Sequence, residues 1–134
     1  MTVRSPEQPP DASTPWARFL CSSRHFSPAD DRVRFSAFMP KDRATSVFHI
    51  LGLGDDLAGQ LGHDVVAGDR SLYGHAEVTR AQVDECGLSI DADNIPPRHG
   101  NIVGWPEEKA EQRLFAQDLA EAASLHLYDG HQTT

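Results

Sequence analysis

The spacing of apolar residues changes period several times along the chain, and each change marks an element. Trp16 to Cys21 mixes aromatic and apolar residues as a short strand does, and the polar stretch Ser22 to Asp31 reads as a loop. From Val33 to Met39 the residues alternate, with Val33, Phe35, Ala37 and Met39 on one face. This predicts a strand ended by Pro40. Ser46 to Ile50 is a second β-like run, apolar on both faces as a central strand would be. Gly52 and Gly54 mark a turn. Asp55-Asp56, then Leu57, Ala58 and Leu61, then Gly62 predict a helix of two turns with an acidic start and a glycine stop. Leu72 to Val78 alternates again, with Leu72, Ala76 and Val78 on one face and Tyr73, His75 and Glu77 on the other. Thr79 is a good N-cap for a helix over 80–86, with Gly87 as its stop. Leu88 to Ile90 reads as a brief strand, and Asp91 to Pro97 as a turn-rich loop. The clearest helix is the last, from Pro106 to about 124. Its apolar stripe is Phe115, Ala116, Leu119, Ala120 and Ala123. Strands interspersed with these helices predict an α+β fold: a small, mostly antiparallel sheet packed against a long C-terminal helix and two short ones.

The two ends carry little to bury. Residues 1–15 hold four prolines and almost no apolar side chain, so a disordered tail is expected there and again over 129–134. The expected folded domain is 16–128, long enough for one modest core.

Charge narrows the partners. The chain has 134 residues and a net charge of −8, from 12 Lys+Arg against 20 Asp+Glu. Direct nucleic-acid binding is disfavoured, because phosphate neutralisation needs clustered cations. The acidity points instead to a basic protein partner, and the carboxylates are too scattered to mimic nucleic acid. No apolar run approaches the roughly 18 residues of a membrane span. The N-terminal stretch lacks a secretion signal's apolar core, so a cytoplasmic location is expected. Oligomeric state is left open.

Candidate chemistry is sparse. Seven histidines invite a metal reading, yet no CxxC, HxxxH or HExxH occurs. Cys21, His25, Cys86 and His99 would make one site only if the loop after 21 meets the loop before 99. The favoured expectation is two reduced cysteines, no metal and no cofactor. The most unusual stretch is Pro97-Arg-His-Gly-Asn-Ile-Val-Gly-Trp-Pro106, read as a loop ahead of the last helix. Arg98 can grip a carboxylate or phosphate, His99 can move a proton, and Asn101 can fix an orientation. Equally, Asn101 can bond its own loop, and Trp105 can clamp the helix start. The Tyr73, His75 and Glu77 face is the second candidate, either lining a cleft or simply solvated. His49 is the third, as a buried core histidine or a rigidly held polar group. No nucleophile elbow, P-loop or GxGxxG is present.

Two resemblances follow from quoted residues. Arg18-Phe19-Leu20, His25-Phe26, Arg32-Val33, Ala37-Phe38-Met39-Pro40, Ser46-Val47-Phe48 and the Arg98-His99-Gly100-Asn101-Ile102-Val103-Gly104-Trp105-Pro106 block resemble a group of small bacterial proteins. That resemblance implies a bacterial origin and supplies no activity. Phe48-His49-Ile50, followed by Leu53, Leu57 and Gly62, is similar to the opening strand and helix of ADP-ribosyltransferase-like folds. It implies NAD contact at His49, with Tyr73 in support, but a catalytic Glu on a late strand has no counterpart. The expectation is a binding or adaptor protein acting with an operon-encoded partner. The alternative is an enzyme acting on a nucleotide-like or phosphorylated small molecule, with Arg98 as anchor and His49, His75 or His99 as acid–base groups. The enzyme reading requires these side chains to converge on one pocket.

Overall fold

The computed structural model describes residues 12–66 and 71–128. In chain order the elements are β1 (Pro15–Leu20), β2 (Phe26–Ser27), β3 (Arg32–Val33), β4 (Thr45–His49), α1 (Asp55–Val65), β5 (Gly74–Thr79), α2 (Arg80–Glu85), β6 (Ser89–Ala92), β7 (His99–Val103), α3 (Lys109–Ala122) and β8 (Ser124–Leu127). Six strands form one antiparallel sheet in the order β6-β7-β4-β1-β5-β8, and β2 pairs with β3 in a small separate hairpin. The fold is α+β, as the pattern of elements predicts.

Strand period explains why the sheet is covered on both faces. Along β1, Trp16 and Leu20 point one way and Ala17 and Phe19 the other, and all four are buried. The first face joins Val47, Ala76, Val78 and Ile102 to Ala116, Leu119 and Ala120 of α3 and Val83 of α2. The second joins Phe48, Ile50, Leu72 and Tyr128 to Ala58 of α1. Each fully buried large apolar side chain contributes about 1.5–3 kcal/mol.

Close approach requires glycine at several positions, Gly100 and Gly62 among them. A Cβ on Gly100 would lie 2.8 Å from the Trp16 ring. One on Gly62 would lie 2.8 Å from Leu72 and 2.9 Å from Phe19. Gly62 therefore does not stop α1; it lets the helix press onto the sheet and continue to Val65.

Other sequence expectations are corrected. The alternating stretch 33–39 is not a strand beyond Val33, because residues Phe35–Ala37 form a 3₁₀ turn. Its carbonyl ends are claimed by distant side chains: Arg18 Nε donates to Ala37 O at 2.8 Å and Thr45 Oγ1 to Phe38 O at 2.8 Å. The 97–106 block is not a loop, since His99–Val103 is an internal strand paired with both β4 and β6. Tyr73 and Leu72 lie ahead of β5 and exchange the faces expected of them. Leu72 packs with Phe19, and Tyr73 packs against the α3-side core beside Phe26. The last helix starts at Lys109 rather than Pro106, and β8 follows it. The ordered chain also begins ahead of residue 16: Thr14 is buried and Pro15 opens β1. Residues 1–11 and 129–134 of the expected tails lie outside the described residues.

Candidate active site

The centre of the sheet contains a built-in gap. β1 and β4 pair over only two rungs, Trp16 with His49 and Ala17 with Phe48. Past Ala17 and Phe48 the strands separate, and the Arg18 guanidinium bridges the opening. Its Nη1 donates to Ser46 O at 3.0 Å while its Nε holds Ala37 O. The opening is a cleft of about 390 Å³ lined by Phe19, Cys21, His25, Ser46, Phe48 and Val65, among others. Arg18 is the one permanently charged side chain among the described residues lining it.

Ser46 and Phe48 share a strand face, and register places Asn101 opposite Ser46 and His99 opposite Phe48. The result is a Ser–His–Asp line. Ser46 Oγ lies 2.8 Å from His99 Nε2, and His99 Nδ1 lies 2.7 Å from Asp93 Oδ1. Asn101 Nδ2 donates to the other Asp93 oxygen at 3.4 Å. Phe48 stands edge-on to the imidazole, 5.1 Å between centroids, and fixes the ring's tilt. Asp93 also accepts from the Ile95 backbone N–H. The His99 hydrogen bond, with that second donor, holds the Asp93 carboxyl below its ordinary range. Both imidazole nitrogens are thus committed: Nδ1–H to the carboxylate, Nε2 as acceptor for the serine hydroxyl. That is the tautomer general-base activation of a hydroxyl requires. His99 is 13 % exposed and Asp93 39 %, so the line runs from the sheet surface to solvent.

The residues singled out by sequence are distributed differently from what the enzyme expectation required. Arg98 is structural. Its backbone is left-handed (φ 75°), its carbonyl accepts from His49 N, and its Nη1 donates to the carbonyls of His49 and Leu51. His49 is fully buried, edge-on to Trp16 at 5.4 Å, with Nδ1 3.5 Å from Arg98 Nη1. It is a core histidine on the α3 side of the sheet. Tyr73 packs on Phe26 and does not share a face with His75 and Glu77, which lie toward α1. Arg98, His99, His49, Tyr73 and His75 therefore do not converge on one pocket, and the Arg98-anchored enzyme reading fails its own requirement. The ADP-ribosyltransferase resemblance loses its footing in the same way, since His49 and Tyr73 face the apolar core. The four-ligand grouping of Cys21, His25, Cys86 and His99 is not formed: Cys86 packs in the α3-side core, Cys21 against the α1-side core, and His99 is bonded to Ser46.

His99 and Asn101 were legible as candidates; Ser46 and Asp93 were not. Ser46 reads as one polar position in an apolar strand, and Asp93 as a loop acid. The available signal was the period of two between His99 and Asn101, which puts both on one face once the block is a strand.

His75 is the other notable side chain of this face. It is fully buried, and its Nδ1 meets the Tyr128 hydroxyl at 2.5 Å. Burial first, then His126 nearby, pushes its pKa down to about 4, against a partial opposing pull from Asp55, so the ring is neutral at pH 7. Burial pushes the Tyr128 hydroxyl up.

Comparison with protein-family models, curated proteins and solved structures finds no match for this chain.

Proposed function

We propose that this chain is a small serine hydrolase acting on an ester of a small anionic molecule. Ser46 is the nucleophile, His99 the general base and Asp93 the group that orients the imidazole. The observation that carries this reading is the continuous Ser46–His99–Asp93 hydrogen-bonded line, 2.8 and 2.7 Å, with its serine end in a cleft.

The chemistry follows from these atoms. His99 Nε2 takes the Ser46 proton as Oγ bonds to the substrate's carbonyl carbon, and Asp93 stabilises the resulting imidazolium. His99 then returns the proton to the departing alcohol as its C–O bond breaks, leaving an ester on Ser46. Water, deprotonated by the same imidazole, attacks that ester, and the C–Oγ bond breaks to release acid and restore Ser46. Arg18 supplies the cleft's positive charge and favours substrates carrying a carboxylate or phosphate. Phe19, Phe48 and Val65 supply apolar contact.

The reading is tested by hydrolysis of aryl esters with and without a carboxylate on the acyl group. Ester turnover by the native chain should drop about 100-fold or more in Ser46→Ala and in His99→Ala, each still fully folded at the assay temperature. Turnover unchanged in Ser46→Ala would overturn it.

A second reading, a binding module, is favoured by one separate observation. A groove of about 530 Å³ beside the β2–β3 hairpin is lined by Arg24, Arg32 and Arg34, which outnumber the carboxylates Asp30 and Glu121 on its wall. No ion pair joins any of the three guanidinium groups to another described residue. Three such cations in a chain of net charge −8 suit an acidic segment of a partner, opposite in sign to the partner suggested by net charge alone. Anisotropy of a labelled polyglutamate peptide tests it: binding that disappears in Arg32→Glu/Arg34→Glu supports the module, and no binding by the native chain rejects it.

A further inference from the structure

On the α1 side of the sheet, two strands away from Ser46, four ligand-bearing side chains meet. Register on β5 and β8 sets His75 opposite His126 and Glu77 opposite Ser124, so both histidines and the glutamate emerge on one face. α1 begins directly over them and brings Asp55. One ligand atom from each of Asp55, His75 and His126 lies within 4.8 Å of the other two. Asp55 Oδ1 is 3.3 Å from His126 Nδ1, and Glu77 Oε1 is 3.5 Å from His126 Nε2 and 3.7 Å from His75 Nε2.

His75 Nε2 is buried without a hydrogen-bond partner, at a side chain that is 0 % exposed. A buried ring nitrogen without a hydrogen-bond partner is destabilising unless something occupies its lone pair. The Glu77 carboxylate lies 3.7 Å from it, and the His126 ring stacks on its face. Its other nitrogen has a partner of the kind metal-bound histidines use. In the tautomer whose Nδ1–H donates to the Tyr128 hydroxyl, Nε2 carries the lone pair, and metal binding selects that tautomer. The Asp55 contact at His126 Nδ1 suits an ion, since ligands about 2.0–2.2 Å from a tetrahedral centre sit roughly 3.3–3.6 Å from one another; Glu77 lies on the other ring nitrogen and flanks the site.

We propose that Asp55, His75 and His126, with Glu77 beside them, form a binding site for a divalent transition-metal ion of the zinc class. Two imidazoles and carboxylate oxygens are a donor set for zinc rather than for magnesium or calcium. The two rings stack at 4.7 Å and 6°, so they cannot both aim in-plane lone pairs at one ion as they stand. Closure turns the half-buried His126 ring, on edge strand β8, about its own side-chain bond while buried His75 stays in place. A cavity of about 260 Å³ lined by Asp55, Asp56, His63 and Tyr128 opens beside the cluster and gives an ion a route from solvent. This site is independent of the Ser46 line and does not rest on the hydrolase reading.

The test uses chelator-treated full-length protein titrated with Zn²⁺ by calorimetry and with Co²⁺ by visible absorption. The expected result is one ion per chain, d–d bands of tetrahedral cobalt, and a melting temperature several degrees higher with Zn²⁺. His126→Ala and Asp55→Ala, both at exposed or half-exposed positions that leave the core intact, should each weaken Zn²⁺ binding about tenfold or more. Ser46→Ala should bind as the native chain does. Absence of uptake by a natively melting chain, or undiminished affinity in both His126→Ala and Asp55→Ala, overturns the proposal.

Discussion

Asp93 shows how one side chain couples stability to the candidate chemistry. Its carboxyl is held below the ordinary range chiefly by the His99 hydrogen bond. On unfolding it returns to about 3.9. The extra stability is therefore present above that value and is lost as pH falls through the lower, folded value. Calorimetry should show Asp93→Asn melting below the native chain at pH 6, with the gap narrowing as pH falls below the ordinary carboxylate range; a gap that does not narrow with acid would contradict the assignment. Arg98 belongs to the same scale. Because its guanidinium ties the start of β7 to the carbonyls of His49 and Leu51, Arg98→Ala should cost about 1–2 kcal/mol of stability. Denaturant melts that overlay those of the native chain would return Arg98 to a binding role. Sequence made His99 and Asn101 visible because imidazole and amide stand out in a glycine-rich block. Ser46 was hidden because its role exists only through pairing with a position 53 residues away, and Asp93, though only six residues from His99, because its role appears only once His99 is placed on a strand with its ring turned back to that carboxylate.

Elements with local signals were legible, and those set by distant partners were not. The capping box at Thr79, in which Thr79 accepts from Gln82 N and the Gln82 side chain from Thr79 N, is written in four consecutive residues. Thr79→Ala should cost about 1 kcal/mol, read as a lower denaturation midpoint. The strand expected over 33–39 failed because Arg18 and Thr45 draw its carbonyls into a 3₁₀ turn. The 97–106 block became a strand because β4 and β6 supply hydrogen bonds on both sides. Strand β8 is only four residues long and follows α3 with no turn residue, so period alone does not separate it from the helix. Within β7, Gly100→Ala would drive a methyl into the Trp16 ring and should destabilise by about 1–3 kcal/mol. Trp105 is buried, with Nε1 donating to Ile102 O at 3.0 Å. Trp105→Ala should cost about 3–5 kcal/mol by chemical denaturation, and a loss under 1 kcal/mol would remove it from the core.

Across the whole molecule, the sheet divides labour between its faces. The α3 side is the larger apolar core and holds the stability. The α1 side is only partly covered, and both polar clusters sit there: Ser46–His99–Asp93 at the split between β1 and β4, and the two histidines at the β5–β8 edge. Among the described residues no helix is long and apolar enough to cross a membrane. The negative net charge that dominates the composition does not describe the surface locally, since Arg18 stands in the cleft and three further arginines line the groove by the hairpin. Nothing in composition or period announces that distribution; it emerges when the strands are put in order.

The central claim is that His99 and Asp93 make Ser46 a nucleophile. It is tested most directly by exposing the native chain to a fluorophosphonate and locating the adduct by peptide mass spectrometry. The account predicts a stoichiometric adduct on Ser46, lost in His99→Ala at unchanged fold. A native chain that stays unmodified at Ser46, or one labelled equally well without His99, would contradict it.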